Sequence, residues 1–185
     1  MKRIVLLLLL PGFLIACSAH KTSLSASPEI VIPSKAIKAA EHKAASFEKT
    51  EAASEEETDF KYDIIETAKD FLGTAYEYGG TSRAGMDCSG LVYAVFLLRD
   101  VALPRASYAM AEMGEELPLS SATPGDLLFF KTGRKKNVIS HVGIIVELNR
   151  DKIYFIHSTT SRGVIISSLD ENYWQQHFVM ARRIQ

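Results

Sequence analysis

Cys88 lies in the sequence Asp87-Cys88-Ser89-Gly90 and is followed by an apolar stretch, Leu91 to Leu98, long enough with its flanks for a buried helix. This puts a sulfur at a helix N-terminus, where free N–H groups and partial positive charge favour the nucleophilic thiolate. Farther along, Ile139, His141, Gly143 and Ile145 alternate onto one strand face, and Ile153, Phe155 and His157 do so in the next. A turn centred on Asn149 sets His141 directly opposite His157. Cβ atoms of such a pair are roughly 4.5–5.5 Å apart, close enough for one ring to orient the other. Singly, each residue has a plainer explanation: free cysteine is often a small core residue, Asp87 a simple N-cap, and an inward histidine a satisfied core residue. Together they form a set for nucleophilic catalysis, in which Cys88 attacks, His141 takes the proton and His157 fixes the His141 tautomer.

Positioning these side chains requires helices first and strands afterwards. Ile64, Ile65, Ala68, Phe71 and Leu72 recur at helical spacing, which predicts a helix over Tyr62 to Leu72 stopped by Gly73. Short β-rich runs follow at Leu127 to Lys131, Val138 to Glu147, Ile153 to Ser158, Val164 to Ser168 and Phe178 to Ile184. The order predicts an α+β domain with a mostly antiparallel sheet, occupying residues 60–185.

Residues 1–16 have the layout of a secretory signal: Met1-Lys2-Arg3, an apolar run from Ile4 to Leu10, and a break at Pro11-Gly12. The run is too short for a permanent span, which needs roughly 20 apolar residues. Leu14-Ile15-Ala16-Cys17 resembles the bacterial lipobox, which implies a lipoprotein with Cys17 acylated at the mature N-terminus. The alternative is an ordinary signal peptide with an incidental cysteine. With Cys17 acylated, Cys88 has no thiol partner within the chain. Residues 17–59 are rich in Ala, Ser, Lys and Glu, end in Glu55-Glu56-Glu57, and read as a disordered tether in which Ser34 to Phe47 form at most a transient helix. The expected location is the periplasmic face of an outer membrane where the envelope has one, and the cell surface otherwise. Across the 185 residues, 47% are hydrophobic and 23% charged, and the formal net charge of -1 gives no support to a nucleic-acid partner.

Leu72-Gly73-Thr74-Ala75-Tyr76-Glu77-Tyr78-Gly79-Gly80 and Asp87-Cys88-Ser89-Gly90-Leu91-Val92 resemble the NlpC/P60 family of cell-wall peptidases. Leu103-Pro104-Arg105-Ala106-Ser107, Pro124-Gly125-Asp126-Leu127, Ser140-His141-Val142-Gly143 and Ile156-His157 resemble its remaining motifs in the same order. The resemblance covers Tyr62 to Ile184 and implies a papain-like α+β fold with nucleophile, base and polar third residue at Cys88, His141 and His157. It implies no metal or cofactor. It also implies that Tyr76 donates to the oxyanion beside the Cys88 amide, and that Asp87, Ser89 and Ser107 bind the amino end of a peptidoglycan stem peptide. Arg105 is a candidate for a carboxylate contact, with a solvated or structural arginine as the alternative.

The expected activity is hydrolysis of a γ-D-glutamyl- or D-alanyl-diamino acid bond through a thioester, by a monomer. The rivals are a catalytically idle wall-binding lipoprotein and an amidase or acyl transferase on the same fold. Several features have simpler readings: Gly133-Arg134-Lys135-Lys136-Asn137 as a solvated turn, His20, His42 and His177 as tether or surface residues, and Met110, Met113 and Trp174 as packing.

Overall fold

The computed structural model describes residues 55–133 and 137–184. The expected signal segment, Cys17, the tether up to residue 54 and Arg134-Lys135-Lys136 lie outside them.

The first described element, α1, covers residues 55–69 and buries Ile64, Ile65 and Ala68 on one face. It begins before Tyr62 and takes in Glu55-Glu56-Glu57, assigned to the tether from sequence. Carboxylates early in a helix oppose its dipole favourably, and Glu57 pairs one turn on with Lys61 at 2.6 Å. It also ends earlier than Leu72. The amides of Phe71 and Leu72 donate to carbonyls three residues back, and Gly73 turns the chain out at φ 80°.

A small hairpin follows, β1 (Thr81–Ser82) with β2 (Gly85–Met86), and leads directly into α2 (Cys88–Leu97). After the short α3 (Ser107–Met110) the chain builds a six-stranded sheet from β3 (Glu115–Leu117), β4 (Leu127–Phe130), β5 (His141–Asn149), β6 (Lys152–Thr159), β7 (Gly163–Ser168) and β8 (Phe178–Arg183). A six-residue helix, α4 (Asn172–His177), precedes β8. The spatial order is β3-β8-β4-β5-β6-β7, and every neighbouring pair is antiparallel. At one side the sheet stops at β3, three residues whose Glu115 and Glu116 are exposed.

Strand alternation sorts the core into two clusters. Leu127, Phe129, Val142, Ile144 and Ile156 pack with the buried faces of α1 and α2. Leu128, Phe130, Ile145 and Phe155 pack with Trp174 from α4. Asp126, in the Pro124-Gly125-Asp126-Leu127 segment, is structural. Its buried carboxylate accepts two hydrogen bonds from the Arg183 guanidinium, at 2.9 and 2.8 Å, and one from the Thr123 amide, tying the start of β4 to β8.

The β5–β6 hairpin differs from the sequence expectation. Its closing pair is Asn149 with Lys152, and Arg150, at φ 54°, turns the chain where Asn149 was expected to. A bulge between Ile145 and Glu147 then shifts the register by one residue, so that Ile145 faces Phe155. His141 therefore does not stand directly opposite His157. Gly143 lies beside His157, and a Cβ there would come 3.2 Å from the His157 Cβ and 2.9 Å from the Ile156 carbonyl oxygen.

Candidate active site

Cys88 opens α2 because Asp87 caps it. Asp87 is extended (φ -90°, ψ 178°), and its Oδ1 accepts from the Gly90 amide at 2.7 Å. Its Oδ2 accepts from the Gly79 amide at 2.8 Å, drawing the Gly79-Gly80 loop onto the helix start. The approach is close enough that a Cβ on Gly90 would lie 2.0 Å from the Gly80 carbonyl oxygen.

Arg105 closes this cluster. Its two terminal nitrogens each donate to one Asp87 oxygen at 2.9 Å, and it also donates to Ser89 Oγ at 2.8 Å and to the Gly80 carbonyl at 3.1 Å. The carboxylate that Arg105 contacts thus belongs to Asp87, and its fork is filled from within the chain. Burial alone would raise the Asp87 carboxyl, but the Arg105 fork and the two amides outweigh it and hold the group below the usual carboxylate range.

The imidazoles come from β5 and β6. His141 Nε2 lies 2.9 Å from His157 Nδ1, with the rings nearly perpendicular at 85°. Both are buried. Trp174 stacks on His141 at 5.2 Å and meets His157 edge-on at 4.6 Å, while Phe155 stacks on His157 at 4.6 Å. This aromatic cage restricts ring rotation, so Trp174 does more than fill space. The hydrogen bond engages Nε2 of His141 and leaves Nδ1 as the nitrogen available to a thiol. Strand β6 is in turn tied to the segment before Cys88, because Ser158 Oγ donates to the Met86 carbonyl at 2.7 Å.

Cys88, His141 and Tyr76 border one cavity of about 470 Å³. A second, of about 510 Å³, is bordered by Tyr76 and Cys88 together with Asp87, Ser89, Arg105 and Ser107. Cys88 thus stands where the two halves of a cleft meet, and all the folded residues singled out from sequence border that cleft except His157, which lies behind His141. Among the described residues no group of three or more acidic, His or Cys side chains is arranged to hold a metal.

The protonation state differs from the sequence expectation. Burial pushes the Cys88 thiol up to about 11; the Val142 amide opposes this, Asp87 adds to it, and the amides of Ser89 and Cys88 oppose it. Burial likewise pushes His141 down to about 4, against an upward pull from Asp87. His157 is depressed by burial, then by His141 and Arg162. At the helix start desolvation outweighs the dipole, so the resting pair is neutral thiol and neutral imidazole, with the thiol 3.9 Å from the Ser140 carbonyl oxygen as a weak acceptor. Burial also raises the Tyr76 phenol, with Cys88 and Asp87 adding to it, so Tyr76 keeps the proton it would donate to an oxyanion.

The family model described as NlpC/P60 family matches residues 73–183. The chain belongs to the NlpC/P60 family. It is 48% identical over 113 residues, 60% of this chain and 70% of the relative, to the probable endopeptidase NlpC of Escherichia coli K12. It is 34% identical over 170 residues, 91% of this chain and 85% of the relative, to the murein DD-endopeptidase MepS/murein LD-carboxypeptidase of the same organism. Among solved structures, an NlpC/P60 family protein from Bacillus cereus ATCC 10987 superposes with a TM-score of 0.59 at 31% identity, over 66% of this chain and 39% of that longer one. The α+β NlpC/P60 architecture read from the sequence is the one observed.

Sequence reasoning missed the part that four residues play in the site. Gly143 carried a usable signal, since glycine inside a strand often marks close backbone approach. Trp174 carried none, because its role depends on where α4 docks. Arg162 and Glu171 border the cavity of Cys88 and His141 from two turns that no motif marks.

Proposed function

We propose that this chain is a cysteine peptidase that hydrolyses peptide bonds in peptidoglycan stem peptides or cross-links. The observation that carries the reading is the 2.9 Å His141–His157 contact beside a helix-start cysteine in one cleft. The murein DD-endopeptidase and probable endopeptidase among its relatives support the substrate class.

In this reading, His141 takes the Cys88 proton at Nδ1 as the sulfur attacks a peptide carbonyl carbon. The developing oxyanion is met by the Cys88 amide and the Tyr76 hydroxyl. The tetrahedral species collapses as the C–N bond breaks, and the imidazolium passes its proton to the departing amine. A thioester remains. Water attacks it, giving a proton to His141; the C–S bond breaks, His141 returns that proton to the sulfur, and the carboxylic acid product leaves and ionises in solvent. Because thiol and imidazole begin neutral, charge separation occurs only as the substrate closes the cleft.

The same reading extends to the N-terminal region, where acylation of Cys17 would hold a monomeric catalytic domain at a membrane facing the wall. Metabolic labelling with a palmitate analogue, lost in C17S, tests that part separately.

Incubating the purified chain with muropeptides and analysing the products by mass spectrometry tests the activity and identifies the bond cut. Cys88→Ala is expected to remove cleavage while leaving the thermal transition within a few degrees of wild type. Undiminished cleavage by Cys88→Ala would refute the assignment.

A further inference from the structure

His157 directs His141, but no polar group directs His157. Its Nδ1 meets His141 at 2.9 Å, while its Nε2 is buried and pairs with no hydrogen-bonding protein group among the described residues. The terminal torsion of a histidine is broad, so the ring has little preference of its own. Apolar contact must fix it. Phe155 stacks on His157 at 4.6 Å and touches that ring only, and Phe130 approaches His141 only, at 6.0 Å. Trp174 is the one aromatic side chain among the described residues that contacts both imidazoles, stacked on His141 and edge-on to His157.

Trp174 also separates the pair from solvent. It borders the cavity of Cys88 and His141, which His157 does not, yet only 6% of its surface is exposed. Its other contacts are Phe130 at 5.1 Å and Phe155 at 5.3 Å. The short helix that carries it is held at both ends: the Trp174 amide donates to the Glu171 carbonyl at 2.9 Å, and the His177 carbonyl accepts from the Lys131 amide at 2.9 Å. Water admitted here would compete for the nitrogens of the His141–His157 bond and would pair with His157 Nε2, freeing that ring to turn.

We propose that Trp174 is a positioning residue for the reaction: its indole closes the His141–His157 hydrogen bond off from the water of the cleft and holds both rings in the arrangement that leaves His141 Nδ1 for the Cys88 thiol. The inference rests on the proposed hydrolase mechanism and concerns a residue that acts through the base. Shielding also sets the acid range of the enzyme. An indole face attracts a cation and by itself favours an imidazolium. Dehydration acts the other way and prevails, since His141 is held down to about 4. The charged and titratable groups around the pair are Asp87, which pulls His141 up, Arg162, which pushes His157 down, and Tyr76, Cys88, Glu171 and Tyr173 on the border of the cavity. Replacing the indole leaves all of these in the chain and changes the access of water.

The test uses Trp174→Leu, which stays apolar but cannot cover both rings, and Trp174→Phe, which keeps one ring, each with folding checked by urea unfolding. On a soluble muropeptide, Trp174→Leu is expected to lower kcat roughly tenfold with KM within about twofold, and to move the acid limb of kcat/KM upward by about one pH unit, toward the 6.5 of a solvated imidazole. Trp174→Phe should lie between it and wild type. A merely structural tryptophan would lower the folded fraction and leave the limb in place. Trp174 is the single tryptophan of the chain, so wild type supplies a check that needs no variant. A protonated imidazole stacked on an indole quenches its emission, and Trp174 fluorescence should fall on acidification with a midpoint at the acid limb of the rate. A folded Trp174→Leu with wild-type kcat and an unmoved limb, or wild-type emission that stays flat across that limb, would overturn the role of Trp174 and leave the hydrolase reading standing. A wild type that cleaves no muropeptide would remove the reading and this role with it.

Discussion

His157 Nδ1 stands 2.9 Å from His141 Nε2, although the two residues are not cross-strand partners. The bulge in β5 and the missing side chain at Gly143 bring the rings together on a diagonal, and Trp174 holds them from the side. In the proposed mechanism the second imidazole is thereby an orienting group for the first.

Replacing His157 therefore affects turnover more than binding. His157→Ala is expected to lower kcat by about a hundredfold or more, with KM changed little, since the base loses its tautomer and its direction. His157→Asn, whose side-chain oxygen accepts from His141, should recover part of the loss. Steady-state kinetics on a soluble muropeptide decide it, and an alanine variant with wild-type kcat would remove His157 from the mechanism.

Gly143→Ala tests the close strand approach. The added Cβ would lie 2.6 Å from Phe155 Cδ2 and 2.9 Å from the Ile156 carbonyl oxygen, so the strands must separate where the rings meet. A destabilisation of about 1–3 kcal/mol is expected, together with loss of activity. Urea unfolding measures the first; unchanged stability and rate would show that the strands give way freely.

The pH dependence follows from the buried imidazole. His141 titrates at about 4 when folded and at 6.5 when unfolded, so between these values the unfolded chain holds a proton that the folded chain lacks. Its contribution to stability is complete above pH 6.5 and is lost as pH falls through about 4, a change on the order of 3 kcal/mol. The acid limb of kcat/KM belongs in the same region, because a protonated His141 accepts nothing from the thiol. Thermal melts and rate profiles between pH 4 and 8 check both. A limb centred near 6.5 would mean that His141 is not held neutral by burial.

Arg105→Ala is expected to leave the Asp87 carboxylate without its counter-charge at the helix start and to cost about 2–3 kcal/mol, below the roughly 3–5 kcal/mol for breaking a fully buried pair because Arg105 is partly exposed. Activity should fall with it, since the Cys88 backbone shifts when the cap loosens. Arg105→Lys keeps the charge but loses the paired geometry and should lie between. A variant with wild-type melting temperature would make the clamp dispensable.

Much of this was legible in the sequence. The start of α2 was, because an aspartate three residues ahead of a glycine and an apolar run leaves few alternatives for the backbone, and Cys88 falls at the first turn. The strands were, because alternation persists through Phe130, Ile144 and Phe155. The hairpin register was not. Uninterrupted pairing from Asn149 and Lys152 would set His157 against Ile144, on the wrong face, and only the bulge near Val146 restores the phase. The short elements β3, α3 and α4 were also invisible, since pieces of three to six residues owe their conformation to what they pack against. The raised pKa of the thiol was missed for a related reason: proximity to a helix start is written in the chain, whereas the degree of dehydration depends on what packs around the sulfur.

The three-residue strand β3 has a bearing on life in a crowd. A foreign strand seeking to extend the sheet on that side would run out of amide and carbonyl partners after one short contact and would meet the negative charges of Glu115 and Glu116 as it did so. Copies gathered at high density can stand shoulder to shoulder along this flank without knitting into a shared ribbon.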